Sequence, residues 1–211
     1  MNKIKAIIFD MDGVLIEAKD WHYLALNRAL ALFGAEISRY DHVVTYDGLP
    51  TKKKLEMLSE ERGLPLLLHD FINLLKQQYT TEIVYTHCKP RFQHEYLLSR
   101  LKQENYKLAV ASNSIRETVR IMMQQSALLG YLDFFLSNQD VTKGKPDPEI
   151  YLKAIHLLGL SPKECLIVED NEKGIKAAKA SGAHLLEVAD VEEVNYWNIM
   201  NRILIIEKEI A

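Results

Sequence analysis

The chain has 211 residues, 48% of them hydrophobic and 26% charged, enough to bury a core as one domain with an insertion or as two small domains. Its net charge of −3 gives no basis for binding nucleic acid or an anionic membrane. The two cysteines, Cys88 and Cys165, match no disulfide or zinc spacing, so both read as reduced thiols of a cytoplasmic protein.

Near the start, Lys3 and Lys5 precede a short apolar run, but Asp10 interrupts it after four residues, far short of a secretory core segment. No later stretch approaches the length of a membrane span. A soluble, monomeric protein with a small-molecule ligand is the expectation.

The run at 4–9 is the first of five short segments that read as strands; the others are 107–111, 134–137, 165–168 and 184–188. Each is apolar on both faces, and helical patterns separate the later ones, as in βαβ units around a buried parallel sheet. Between the first two runs, residues 18 to 86 hold no strand but three helical segments at 20–33, 51–62 and 69–85, divided by the turns Asp47-Gly48-Leu49-Pro50 and Gly63-Leu64-Pro65. That interval is too long for a plain crossover. It predicts a helical cap (18–86) inserted after the first strand of a Rossmann-like α/β core (1–17 and 87–211). Further helices are predicted at 115–128, 148–158 and 172–181, with Pro148 at a first helical position, where its missing N–H costs nothing. A closing helix at 191–210 carries no recognisable chemistry.

Ligands of open α/β sheets bind beyond the carboxyl ends of the strands, so the residues there matter most. The first strand runs into Asp10-Met11-Asp12-Gly13-Val14-Leu15 and the second into Ser112-Asn113-Ser114; Gly144-Lys145-Pro146-Asp147 precedes the Pro148 helix, and Glu169-Asp170-Asn171 follows the fourth strand. The chemistry of these clusters is complementary. A carboxylate at Asp10 can attack phosphorus and divide a hydrolysis into two easier steps. Asp12, two residues on, can protonate the leaving oxygen and then activate water. Glu169 and Asp170 add oxygen ligands of the kind Mg2+ prefers, and Ser112, Asn113 and Lys145 can meet phosphoryl oxygens.

Simpler roles exist for each residue alone. Asp-x-Asp-Gly resembles a calcium loop, but the sixth and twelfth positions from Asp10 are Leu15 and Trp21, which excludes it. Ser112, Asn113 and Ser114 are also helix-capping types, with Ser114 the candidate cap for the helix at 115, and Asp170 and Asn171 can cap the helix at 172. Lys145 alone is a loop residue. His87, Cys88 and His94 lack the spacing of a metal cluster, and Cys165 lies inside a strand. The conjunction of the four clusters favours the chemical reading.

With these motifs in order, the chain resembles the haloacid dehalogenase superfamily, in the branch with a helical cap between its first two motifs. The pattern Asp-x-Asp-Gly, then Ser or Thr, then Lys-Pro-x-Pro, then Glu-Asp is present throughout. The resemblance implies Asp10 as nucleophile and Asp12 as general acid and base. It implies Mg2+ held by the Asp10 side chain, the Asp12 main-chain carbonyl and Asp170, with Glu169 beside or at the metal, and Ser112 and Lys145 on the phosphoryl group.

Within that superfamily, Asp12 argues for phosphoryl transfer, because dehalogenases lack the second aspartate. The reaction expected is hydrolysis of a small phosphorylated metabolite such as a sugar phosphate. A β-phosphoglucomutase-like mutase is the alternative, and a non-catalytic module retaining the fold a third. Mutases of that type carry a cap arginine that grips a second phosphate; here Thr51 stands in its place, with Lys52 or Lys53 as substitutes. His22, on the first cap helix, stands where capped relatives carry a histidine; contact with substrate and a structural role are both open to it. The Lys52-Lys53-Lys54 run reads either as a solvated face or as a greeting for an anionic substrate.

Overall fold

The computed structural model describes residues 3–46 and 49–210; Asp47 and Gly48 of the predicted turn lie outside the described residues. The chain divides into two compact units, one of Met1–Glu17 with Cys88–Ala211, the other of Ala18–His87. No helix among the described residues is long and apolar enough to cross a membrane.

The first unit is built on five parallel strands, β1 (Ala6–Phe9), β2 (Lys107–Ala111), β3 (Phe134–Leu136), β4 (Cys165–Glu169) and β5 (His184–Glu187), in the order β3-β2-β1-β4-β5. The central strand β1 is wholly buried, which is why its sequence is apolar without alternation. Its register sets Phe9 beside both Val110 and Val168. Asp10, Ser112 and Glu169 therefore emerge at nearly one level, at the carboxyl edge of the sheet. Strand order reverses at β1, between β2 and β4, the place where open α/β sheets leave a crevice.

Helices α7 (Glu149–Leu158) and α8 (Glu172–Ser181) cover one face of this sheet. Ile150, Tyr151, Ala154, Ile155 and Leu158 form the buried stripe of α7, at helical spacing. Each large aliphatic side chain there contributes roughly 1.5–3 kcal/mol by leaving water. The buried residues of α8 are small, namely Gly174, Ala177, Ala178 and Ser181, so its backbone lies close to the sheet. Pro148 stands at the N-cap of α7 rather than inside its first turn.

Two predicted helices have other bounds than expected, and one observed helix was not expected. Helix α6 (Arg116–Gln125) ends sooner than its apolar pattern, because the Ser126 hydroxyl donates to the carbonyls of Met122 and Met123 at 2.8 and 3.2 Å. Helix α9 (Tyr196–Ile210) starts five residues later than 191; Asp190 Oδ1 draws the amides of Glu192 and Glu193 into a turn, and Asn195 Oδ1 caps the helix through Asn198 N. Such local bonds compete with helix. A helix at Phe92–Gln103, α5, was not predicted at all; it buries His94, Leu97, Leu98 and Leu101.

The second unit is helical. It comprises α1 (Lys19–Ala31), a short turn α2 (Arg39–Asp41) continuing into a π-turn at His42–Tyr46, α3 (Thr51–Arg62) and α4 (His69–His87). Leu26, Leu30, Ile37, Tyr46, Leu55, Leu58 and Ile72 make its core. Asn27 ties the 34–38 loop to α1, accepting from Ile37 N at 2.7 Å and donating to Ile37 O at 2.8 Å.

Candidate active site

The loop after β1 turns sharply. Met11 O accepts from the amides of Leu15 and Ile16 at 3.0 and 2.9 Å, and Gly13 sits at φ +90°, a conformation that costs glycine no steric penalty. This turn leaves Asp10 at the strand end, 4% exposed. Lys145 lies across it, its ammonium 2.6 Å from Asp10 Oδ1 and 2.6 Å from Glu169 Oε1. All three side chains are buried, so the charges interact at reduced dielectric.

Glu169 is fully buried and heavily engaged. Its Oε1 accepts from Lys145 Nζ and from the Tyr151 hydroxyl, the latter also at 2.6 Å. Its Oε2 faces the start of α8 and accepts from Asp170 N at 3.1 Å, Asn171 N at 3.4 Å and Asn171 Nδ2 at 3.2 Å. A carboxylate at a helix N-terminus is favoured by the orphan amides and the dipole there. This placement requires Gly174, where a Cβ would fall 1.8 Å from Glu169 Oε1. The N-cap of α8 is Asn171, whose Oδ1 accepts from Gly174 N at 3.1 Å.

The β2 loop supplies the other side. Ser112 Oγ accepts from Ser114 N at 3.1 Å, so its proton is what it can offer a ligand. Ser114 is not the cap of α6, which begins without a side-chain cap after Ile115; the amide of Arg116 instead donates to Gln139 Oε1 at 2.9 Å. The Ser114 hydroxyl donates to Asp12 Oδ2 at 3.0 Å. Asn113 binds the backbone of Lys145 on both sides, accepting from its N–H at 3.0 Å and donating to its carbonyl at 3.3 Å. Its amide thus holds the lysine loop against the β2 loop.

Charge is unbalanced here. Burial above all, with Glu169 and Asp12 adding to it and Lys145 opposing, holds the Asp10 carboxyl well above its ordinary range. Burial disfavours the Lys145 ammonium, but Asp10 and Glu169 outweigh it and raise its pKa. Burial, then the Glu169 and Asp10 charges, push the Tyr151 phenol well up, so it is a neutral donor. Asp10, Glu169 and Asp170 each offer an oxygen, all within 4.8 Å of one another. Hard oxygen donors with surplus negative charge suit Mg2+.

Sequence reasoning missed Tyr151 and the Ser114–Asp12 bond. Tyr151 lay in view as a phenol on an apolar helical stripe, a setting in which the hydroxyl needs a buried partner. The predicted cap residues His22, Thr51 and Lys52 belong to the second unit. His22 Nδ1 lies 3.4 Å from Lys76 Nζ, a contact between α1 and α4. Thr51 opens α3; Lys52 and Lys53 are exposed, Lys53 lying 3.6 Å from Glu56, while Lys54 is buried. His94 is a core residue, its Nε2 bonded to Val191 O at 3.1 Å.

Known proteins carry the same arrangement of chain. The phosphoglycolate phosphatase of Aquifex aeolicus is 31% identical over 180 residues, covering 85% of this chain and 82% of the relative. The β-phosphoglucomutase of Bacillus subtilis is 30% identical over 201 residues, covering 85% and 80%. In fold, the β-phosphoglucomutase of Clostridium difficile superposes with a TM-score of 0.81 over 99% of this chain and 100% of its own, at 20% identity. The family model described as haloacid dehalogenase-like hydrolase matches residues 7–188, a span that holds Asp10, Ser112, Lys145, Glu169 and Asp170, and the chain belongs to that family.

Proposed function

We propose that the protein is a Mg2+-dependent phosphohydrolase that removes phosphate from a small metabolite, such as a sugar phosphate, through an aspartyl-phosphate on Asp10. The observation that carries this reading is the convergence of Asp10, Lys145 and Glu169 at 2.6 Å contacts with Asp170 in the same oxygen cluster. Asp10 and Asp170, with the Asp12 main-chain carbonyl, would hold Mg2+, while Glu169 lies beside it and anchors Lys145. Bound there, the metal supplies positive charge that lets an anionic nucleophile approach an anionic phosphoryl group.

The residues then divide the work. An Asp10 carboxylate oxygen attacks phosphorus, and the bond from phosphorus to the substrate oxygen breaks. Asp12 gives that oxygen its proton. Lys145 and the Ser112 hydroxyl meet the phosphoryl oxygens, where negative charge builds. In the second step Asp12 takes a proton from water, the water oxygen attacks phosphorus, and the bond to Asp10 breaks to release inorganic phosphate. By the family resemblance the helical unit 18–87 would serve as the cap, with hinges near residues 15–19 and 87–90.

The same first step serves a phosphomutase, and the Bacillus subtilis relative favours that second reading. Thr51 weighs against it, because a hydroxyl cannot grip a second phosphate as an arginine fork does. Phosphate release from a panel of phosphorylated metabolites with Mg2+ tests both. Asp10→Asn is expected to lower the rate by about a thousandfold or more; undiminished turnover overturns the assignment of Asp10. With β-glucose 1-phosphate and a bisphosphate activator, isomerisation faster than phosphate release reverses the ranking.

A further inference from the structure

Tyr151 is a fully buried residue of the α7 stripe, yet it points a polar atom at the charged centre. Its hydroxyl donates to Glu169 Oε1 at 2.6 Å, the same oxygen that takes the Lys145 ammonium at 2.6 Å. The Lys145 ammonium also stands 4.7 Å from the centre of the Tyr151 ring, within the range of a cation–π contact. One side chain therefore touches both partners of the Lys145–Glu169 pair.

The two contacts have opposite consequences for Lys145. The ring face draws the ammonium towards α7. The hydroxyl occupies part of Glu169 Oε1 and so weakens that oxygen's hold on the same ammonium. Between them they fix Lys145 where it also reaches Asp10 Oδ1. Without the hydroxyl, Glu169 Oε1 loses one of its two side-chain donors and keeps the Lys145 ammonium, which is then drawn more fully to it.

We infer that Tyr151 is a positioning residue that holds the Lys145 ammonium between Glu169 and Asp10, and so places its charge where it meets the transferring phosphoryl group. The inference rests on the proposed reading of Asp10 as the phosphoryl acceptor. It concerns placement, so its effect falls on the transition state more than on the ground state.

Tyr151→Phe separates the contributions, since it keeps the ring and its volume and removes only the hydroxyl. Loss of a hydrogen bond to a charged group supports an expected fall in kcat of roughly tenfold to a hundredfold, with KM within about twofold. Inhibition by orthovanadate is expected to weaken more than inhibition by inorganic phosphate. Incorporation of 4-aminophenylalanine at position 151, which returns a para donor, is expected to restore kcat. The NMR signal of the Lys145 ammonium is the readout independent of turnover, and it is expected to shift in Tyr151→Phe and return with the para-amino residue. Wild-type kcat in Tyr151→Phe with an unmoved Lys145 signal overturns the inference. So does a lowered melting temperature with undiminished kcat per folded molecule, which marks a role in stability alone. If the wild-type chain releases no phosphate from any substrate, the proposed function fails, while the ammonium signal and phosphate binding still decide whether Tyr151 places Lys145.

Discussion

The Ser114 hydroxyl donates to Asp12 Oδ2 at 3.0 Å, joining residues 102 positions apart. The first belongs to the loop after β2 and the second to the loop after β1. In the proposed mechanism Asp12 presents its carboxyl to a leaving oxygen in one step and to water in the next, and the bond from Ser114 helps to fix its direction. Ser114→Ala is expected to lower kcat by about tenfold, with KM within about twofold, as fits loss of a charge-assisted bond of roughly 1.5 kcal/mol. Ser114→Thr, which keeps the hydroxyl, is expected to stay near wild type. Steady-state phosphate release on both variants checks this, and equal kcat for alanine and wild type would refute it.

Gly174 is predicted to tolerate no side chain. A Cβ there meets Glu169 Oε1 at 1.8 Å and its Cδ at 2.0 Å, so either α8 moves or Glu169 leaves its donors. Gly174→Ala is expected to destabilise the fold by about 3 kcal/mol or more and to abolish turnover. Gly130→Ala is the control, because nothing lies within 4 Å of a Cβ at that position; it is expected to fall within about 0.5 kcal/mol of wild type. Urea unfolding of both variants measures the contrast.

Metal binding is predicted to show in stability. A ligand that binds only the folded chain at one hundred times its Kd adds about 2.7 kcal/mol. Mg2+ is therefore expected to raise the melting temperature, EDTA to reverse the rise, and Asp170→Asn to remove the response. An Asp170→Asn variant with the full wild-type shift would exclude Asp170 as a ligand.

Acid is predicted to weaken the fold through His94. Burial, above all, holds its pKa below 6.5, with Arg91 adding to the effect and the bond to Val191 O and the charge of Glu192 opposing it. As pH falls below about 6.5, the unfolded chain takes up a proton that the folded chain refuses, so stability falls with pH until the lowered folded value is reached. One such group changes stability by at most about 1.4 kcal/mol per pH unit. His184 acts in the same direction, its pKa lowered by burial first. His94→Gln, which keeps a donor for Val191 O, is expected to lose less stability than wild type between pH 7.5 and 5.5. Identical losses in urea melts would assign the acid sensitivity elsewhere.

Both thiols are predicted to be inert in the folded protein. Burial pushes Cys88 up to about 11 and Cys165 up to about 12, and the thiolate is the reactive form. A maleimide reagent at pH 7.5 is expected to label neither residue in the native state and both in guanidinium. Rapid native labelling would contradict the burial of these side chains.

Strands β1, β2 and β4 were legible because a parallel strand buried on both faces is apolar almost throughout, whereas the half-buried β3 and β5 showed through their place in the βαβ rhythm. The second helical unit was legible for the opposite reason, since a stretch without strands cannot join a sheet. Helix α5 escaped notice because its buried stripe opens on His94, a polar residue, and its N-cap position is Arg91, which makes no side-chain capping bond. At the site, Asp10, Ser112, Glu169 and Asp170 were visible as strand-end residues, and Lys145 as a loop residue before α7, whose chemistry agreed. Tyr151 and Ser114 act through partners on other elements, and spacing along a chain carries no record of such contacts.

The paired bonds between the Asn113 side chain and the backbone of Lys145 bear on how this scaffold can be re-engineered. They lock two loops of separate origin into one part, so that a donor loop grafted at 112–114 must bring its own match for 144–147. A chimera exchanging only one of them inherits a mismatched joint beneath Asp10, whereas a joint exchange carries the fit along with the chemistry.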